Sequence, residues 1–92
     1  MKRIRKHISF YGMVQGVGFR YRAKHAAEAA GATGWVRNEP DGSVTMEIQG
    51  TEEQIRYVID MIGQGSYICI DDLVQKEIEA VDDERYFEYR WD

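Results

Sequence analysis

The amino-acid sequence predicts an α+β fold in which two helices cover one face of a mainly antiparallel β-sheet. Segments with alternating polar and apolar residues, typical of half-buried strands, are separated by two segments whose apolar residues recur at helical spacing. In chain order the segments form strand, helix, strand, strand, helix and strand, with an extra strand near the carboxyl end. Such a split βαβ arrangement places both helices on one side of the sheet, so we expect a two-layer sandwich.

The first strand covers about residues 6–13, with its apolar residues facing inward. The helix that follows covers residues 19–30 and ends at Gly31. Its inner face is rich in alanine, which allows the helix to pack closely on a sheet. We interpret His7 and His25 as surface residues without a functional role, because both lie at positions expected to face solvent.

Two further strands, at residues 33–38 and 43–49, are joined by the turn residues 39–42 and form a β-hairpin. Thr51 and Gln54 have the spacing of a capping box, in which each side chain bonds a free backbone N–H at the start of a helix. The hairpin is therefore followed directly by the second helix.

The second helix has an apolar stripe that belongs in the core, and it ends at Gly63 or Gly65. A fourth strand lies within residues 68–79, and residues 82–84 form a turn. The last strand alternates aromatic with charged residues, so we expect its aromatic side to seal the sheet. These aromatic residues are Phe87, Tyr89 and Trp91.

Ninety-two residues are enough for one domain, 1–92, with a single core. The formal net charge of −4 is unevenly distributed: residues 1–46 hold 8 basic and 3 acidic side chains, giving +5, and residues 47–92 hold 4 and 13, giving −9. The first half could attract a small anion, whereas the acidic balance of the whole chain disfavours nucleic acid. We interpret the basic cluster Lys2, Arg3, Arg5 and Lys6 as a solvated end before the first strand.

Cys69 is the only cysteine, so an intrachain disulfide is excluded and the cytoplasm is the expected compartment. Its apolar neighbours indicate a small core residue. A structural zinc site is disfavoured by the small number of cysteines and histidines. No apolar run is long enough for a membrane span. Four acidic residues are interpreted as parts of solvated turns, because their spacing is not that of a calcium loop: Asp71, Asp72, Asp82 and Asp83.

The strongest functional signal is a glycine turn, residues 15–18, between the first strand and the first helix. Gly16 and Gly18 permit backbone conformations closed to other residues and allow a ligand to approach the main chain. Successive N–H groups there would face one concavity beside the positive end of the helix. Arg20 could close this concavity with a planar fork suited to phosphate or carboxylate. The sequence thus predicts an oxyanion cradle, although a tight connection with a surface arginine would give the same local pattern.

The residue types around the turn narrow its chemistry. It lacks the Gly-Lys-Ser/Thr ending of a nucleotide P-loop and the third glycine of a dinucleotide site. It also contains no cysteine nucleophile, so phosphoryl chemistry would require water as the attacking group. Asn38, at the entrance of the hairpin, fits either a turn-starting residue or a functional amide that faces the cradle.

Two motifs resemble those of the acylphosphatase family: residues 10–20 resemble its first signature, and residues 34–38 with 41–50 resemble its second. The resemblance implies a ferredoxin-like fold and hydrolysis of acyl phosphates to a carboxylate and inorganic phosphate, without a metal or cofactor. It also implies that Arg20 holds the phosphoryl oxygens and that Asn38 orients the attacking water. The phosphate-binding main chain would be that of Gln15, Gly16, Val17, Gly18 and Phe19.

Elementary chemistry agrees with this assignment. Phosphoryl transfer depends mainly on positioning and charge stabilisation, and a carboxylate leaves readily without a dedicated general acid. We expect a small-molecule acyl phosphate as the partner, no nucleic acid, no membrane and a monomer. The main alternative is a non-catalytic ferredoxin-like module that binds an anion or regulates another protein. An RNA-binding sheet is a third interpretation, weakened by the net charge.

Overall fold

The computed structural model describes residues 2–91, which form a five-stranded sheet with two helices packed on one face. The elements are β1 Ile4–Met13, α1 Phe19–Ala30, β2 Thr33–Asn38, β3 Val44–Gly50, α2 Glu52–Gly63, β4 Cys69–Ile78 and β5 Phe87–Arg90. The strand order is β4-β1-β3-β2-β5; β5 runs parallel to β2, and the other neighbours are antiparallel. The predicted two-layer α+β fold is confirmed. Residues 1 and 92, the ends of the predicted 1–92 domain, lie outside the described residues.

The core lies between the sheet and the helices, where the alternation of apolar residues places it. Ile8 and Phe10 of β1 and Met46 and Ile48 of β3 are fully buried. Ala27 is also fully buried, on the alanine-rich face of α1. Small side chains there let the helix approach the sheet closely, as the sequence predicts. Neither helix of residues 2–91 combines the length and the hydropathy that crossing a membrane would need.

The helix ends follow the predicted local signals. Gly31 takes a left-handed conformation, φ 80°, directly after α1. Before α2, the Gln54 N–H donates to Thr51 Oγ1 at 3.2 Å, and the Thr51 N–H donates to Gln54 Oε1 at 2.8 Å. The Gln54 amide nitrogen also donates to the Ala30 carbonyl at 2.8 Å, which ties the start of α2 to the end of α1. The helix ends at Gly63, the first of the two predicted ends.

The prediction of a solvated basic end is wrong for Arg5. Strand β1 begins at Ile4, so Arg5 lies within the sheet and is only 2% exposed. Its Nε lies 3.2 Å from Glu47 Oε1, and its Nη1 lies 2.8 Å from Glu84 Oε1. Burial alone would lower the pKa of Arg5, but these two carboxylates outweigh it and raise the pKa. Arg3, in contrast, is exposed as expected.

Cys69 is exposed, so the prediction of a small core residue is also wrong. It is the first residue of β4, an edge strand, where successive side chains point to opposite faces. Its neighbours Ile68 and Ile70 pack against the core, which leaves Cys69 on the outside. A hydrogen bond from its thiol to Asp71 Oδ1, 3.5 Å long, raises the pKa of Cys69.

Candidate active site

The glycine turn reaches its geometry through left-handed backbone at two positions. Gly16 has φ 71° and Gly18 has φ 80°, values that residues with a side chain rarely adopt. A Cβ atom at either position would meet no heavy atom within 4 Å. Backbone conformation, and not crowding, therefore requires glycine here. Gly18 immediately precedes α1, so the turn brings the amino end of that helix to the same place.

The main-chain N–H groups along this turn are not used by the rest of the described chain. Within residues 2–91, no main-chain N–H from Gln15 to Phe19 donates a hydrogen bond. The first turn of α1 contains no acidic side chain. The helix dipole is positive at this end, so it reinforces the N–H groups as a site for a negative ligand. The turn is therefore suited to an anion.

A cleft of about 290 Å³ lies against the turn and brings Arg20 of α1 together with Asn38 of β2. Of the predicted phosphate-binding residues, Gly16, Gly18 and Phe19 also line this cleft, whereas the side chains of Gln15 and Val17 lie elsewhere. Aromatic rings form the rest of its wall. The lining consists of Val14, Gly16, Gly18, Phe19, Arg20, Tyr21, Asn38, Tyr89 and Trp91.

The Gln15 side chain makes two hydrogen bonds that local sequence patterns do not indicate. Its side-chain Nε2 donates to the Glu39 carbonyl at 2.7 Å and to the Ser43 carbonyl at 2.8 Å. These acceptors flank the hairpin turn that begins after Asn38, so Gln15 ties the glycine turn to the strand end that carries Asn38. The acceptors are 24 and 28 residues away, beyond the reach of local sequence patterns. Val17 packs against the hydrophobic core instead.

Asn38 is the last residue of β2, and its Oδ1 atom is buried without a hydrogen-bond partner within residues 2–91. Leaving such an atom unpaired costs about 1–3 kcal/mol. The hairpin turn is organised by another residue: the N–H and the hydroxyl of Ser43 donate to Asp41 Oδ1 at 2.9 Å and 2.6 Å. Asn38 Oδ1 is therefore an acceptor that no group within residues 2–91 uses, on a residue that lines the cleft.

The guanidinium of Arg20 lies over the Trp91 ring, with Cζ 4.4 Å from the ring centroid. No ion pair within residues 2–91 involves Arg20.

The sequence predicts that Trp91 lies on the side of the last strand that seals the sheet, together with Phe87 and Tyr89. Of these three residues only Phe87 is fully buried. Trp91 lies beyond the end of β5, is 75% exposed and lines the cleft. Its alternation with Phe87 and Tyr89 gave no signal of this position.

Among residues 2–91, no carboxylate or histidine lines the cleft. Glu39, next to Asn38, is engaged elsewhere, because its Oε2 accepts a hydrogen bond from Arg37 Nε at 3.0 Å. A hydrogen bond from Thr45 and the pair with Arg37 lower the pKa of Glu39, so it stays ionised. Across residues 2–91, no three His, Cys, Asp or Glu side chains are grouped as metal ligands would be. The cleft thus offers cationic and N–H donors with a neutral amide.

Comparison with known proteins gives consistent results. Residues 6–89 match the family model described as acylphosphatase. An acylphosphatase of Thermococcus kodakarensis is 48% identical over 65 residues, 71% of either chain. One of Oceanobacillus iheyensis is 35% identical over 86 residues, covering 91% of this chain and 94% of its own. The crystal structure of acylphosphatase from Bacillus subtilis superposes with a TM-score of 0.86 at 27% identity, covering 95% of this chain and 98% of its own.

The fold also occurs inside a longer protein. The crystal structure of Thermococcus kodakarensis HypF superposes with a TM-score of 0.82 at 30% identity. The superposition covers 97% of this chain but only 12% of the HypF chain. The same arrangement of strands and helices is therefore used both by short chains and as one part of a large one.

Proposed function

This chain belongs to the acylphosphatase family, whose activity is hydrolysis of acyl phosphates, and from that premise we propose how it acts. An Asn38-oriented water attacks the phosphorus in line, while Arg20 and the glycine turn hold the phosphoryl group. The products are a carboxylate and inorganic phosphate. The observation that carries the proposal is that Arg20, Asn38 and the glycines line one cleft.

The phosphoryl group is bound by two kinds of donor. The main-chain N–H groups from Gln15 to Phe19 are available to its oxygens, and the helix dipole of α1 adds attraction. Arg20 supplies a permanent charge and a fork of N–H donors in its plane. As the phosphorus passes through the transition state, these groups stabilise the charge on its equatorial oxygens.

Asn38 supplies the position of the nucleophile. Its buried Oδ1 can accept a hydrogen bond from the attacking water, which fixes one lone pair of that water toward phosphorus. The bond between water oxygen and phosphorus forms as the bond between phosphorus and the acyl oxygen breaks. The carboxylate leaves with its electron pair, and the proton of water passes to the phosphate or to solvent. A weakly basic leaving group makes a general acid unnecessary.

The proposal is tested with purified protein and benzoyl phosphate in a spectrophotometric assay. Arg20→Gln is expected to lower kcat/KM by about 10³-fold or more, the range seen when a transition-state arginine is removed. Arg56→Gln is the matched control, because Arg56 is exposed on α2 and away from the cleft. Its rate should equal that of the unmodified protein. Comparable losses in the two variants would contradict the role of Arg20.

Asn38→Ala separates water positioning from binding. We expect turnover to fall by about 10²-fold or more, because misplacing a reactant costs that much, while inorganic phosphate still binds as measured by calorimetry. Near-normal turnover in Asn38→Ala would contradict the water-holding role.

We also propose that hydrolysis requires no metal. A chelator should therefore leave the rate of hydrolysis unchanged, and inactivation by the chelator would refute this part of the proposal.

The same assay distinguishes the proposed function from the main alternative, a non-catalytic module. If phosphate raises the melting temperature of the protein but acyl phosphates are not hydrolysed, the chain is a non-catalytic anion-binding module. We further propose that the protein acts as a monomer, which light scattering would test. Its single cysteine supports a reducing compartment, the cytoplasm, as its location.

A further inference from the structure

We propose that Trp91 is a positioning residue, which holds the Arg20 guanidinium in the orientation that meets the phosphoryl group. This inference rests on the proposed function, because it takes Arg20 as the phosphoryl ligand. It adds a residue that lies outside both signature motifs and outside the sequence-predicted site.

The contact between the two side chains carries the inference. The Arg20 Cζ atom lies 4.4 Å from the centroid of the Trp91 ring, and both residues line the cleft. A guanidinium over an aromatic face is attracted through its charge, and its N–H groups remain available to stronger acceptors such as oxygen. This contact therefore limits the rotamers of a long side chain without using up the donors that the phosphoryl oxygens need.

The topology explains why a residue so far along the chain arrives at this place. Strand β5 runs parallel to β2, with Arg90 opposite Arg37, so residue 91 emerges beside the end of β2 that carries Asn38. The Lys24 ammonium donates to the Phe87 carbonyl at 2.9 Å, which fixes β5 against α1, the helix that carries Arg20. The position of Trp91 is thus set by the pairing of β5 with β2, which carries Asn38, and by the contact of β5 with α1, which carries Arg20.

Core packing does not account for this tryptophan. Trp91 is 75% exposed; its ring lies against the Arg20 guanidinium, and its centroid is 6.1 Å from that of the Tyr89 ring. Because the Trp91 ring is largely exposed, its attraction to the guanidinium is at the weak end of cation–π contacts. Loss of the ring should therefore weaken phosphate binding by about two- to five-fold, and not by orders of magnitude.

The experiment compares Trp91→Phe, Trp91→Leu and Trp91→Ala in the full chain, with inorganic phosphate as the probe in calorimetry and benzoyl phosphate in the assay. Trp91→Leu and Trp91→Ala should raise the phosphate Kd and the KM by about two- to five-fold, and Trp91→Phe, which keeps a flat ring, should restore most of the affinity. Tyr67→Ala is the control, because Tyr67 is 79% exposed and does not line the cleft.

Two further readouts distinguish positioning from a merely structural effect. In an Arg20→Gln background, Trp91→Ala should have no additional effect on the phosphate Kd, because the ring acts only through the guanidinium. Phosphate should also change the tryptophan emission of the unmodified protein but not that of Trp91→Phe. Melting temperatures of all Trp91 variants should stay close to that of the unmodified protein.

The outcomes separate this inference from the proposed function. If the unmodified protein hydrolyses benzoyl phosphate but Trp91→Leu and Trp91→Ala bind phosphate as tightly as it does, only the role of Trp91 is refuted. An equal loss in Tyr67→Ala, or a full loss in the Arg20→Gln background, also refutes it. If the unmodified protein binds phosphate without hydrolysis, the proposed function fails and the calorimetric series still decides on Trp91. If it does neither, both fail.

Discussion

The two hydrogen bonds of the Gln15 side chain predict a coupled loss of stability and phosphate affinity on substitution. Each neutral hydrogen bond contributes about 0.5–1.5 kcal/mol. Both acceptors keep another donor when Gln15 is removed: the Glu39 carbonyl from the Gly42 N–H at 3.1 Å, and the Ser43 carbonyl from the Glu39 N–H at 2.9 Å. The loss for Gln15→Ala therefore falls below the maximum, at about 1–2 kcal/mol.

For a chain of this size, such a loss lowers the melting temperature by roughly 5–15 °C, since 1 kcal/mol corresponds to about 4–8 °C. Gln15→Glu tests the direction of the bonds, because glutamate has nearly the same shape but no N–H group to donate. Its carboxylate would face two carbonyl oxygens, so the melting temperature should fall at least as far as in Gln15→Ala. Phosphate should bind more weakly than to Gln15→Ala, because a negative charge then lies beside the cradle.

Calorimetric melting and phosphate titration measure both effects. Gln75→Ala is the control, because Gln75 lies exposed on β4 and its side chain accepts a hydrogen bond from Lys6 Nζ at the surface. It should change the melting temperature by little, in line with surface substitutions of about ±0.5 kcal/mol. If Gln15→Glu melts and binds phosphate like the unmodified protein, the amide does not connect the glycine turn to the hairpin, and the reasoning is wrong.

Three other predictions concern the sheet. Arg5→Met should lower the free energy of unfolding by about 3 kcal/mol, because it removes the buried cation that pairs with two half-buried carboxylates. Chemical denaturation should show almost no change for exposed Arg3→Ala, and equal losses in the two variants would contradict the ion-pair network. Burial raises the pKa of Glu47, but hydrogen bonds and charges from its histidine and arginine partners outweigh burial and lower the pKa. The stability that ionised Glu47 contributes is therefore fully present above about pH 4.5, and it is lost as pH falls through the folded pKa. The melting temperature of Glu47→Gln should lie below that of the unmodified protein at neutral pH and converge with it in acid; a gap independent of pH would refute the assignment. Gly34→Ala should abolish or severely reduce folding, because φ is 143° and a Cβ atom would overlap the Glu47 carbonyl. A Cβ atom at Gly63 would meet no atom within 4 Å, so Gly63→Ala should be tolerated. Circular dichroism measures both.

The elements of the fold could be predicted because each is encoded locally. Alternation and helical spacing locate the strands and helices, and the capping box of Thr51 fixes the start of α2. The errors concern residues whose surroundings are set by distant partners. Arg5 is buried because Glu84, 79 residues away, pairs with it, and Cys69 is exposed because β4 lies at an edge. Neither fact is present in a local pattern.

The residues of the candidate site differ in the same way: some could be predicted from local sequence, and others depend on distant parts of the chain. The glycine turn and Arg20 are adjacent in sequence, so an anion-binding geometry can be inferred from them alone. From the sequence, Asn38 could either start the hairpin turn or face the cradle. The structure shows that Asn38 lines the cleft and that Asp41 organises the turn. Trp91 depends on the parallel pairing of β5 with β2, which periodicity does not indicate.

The two borders of the sheet have different exposure to other chains. On one side β5, only four residues long, leaves a short row of free backbone groups. On the other side β4 presents ten residues along the rim, enough to template a foreign strand. That rim carries four charged and exposed side chains, those of Asp71, Asp72, Lys76 and Glu77. Electrostatic repulsion and hydration there oppose intermolecular β-addition, so part of the acidity of the carboxyl half protects the folded molecule from aggregation.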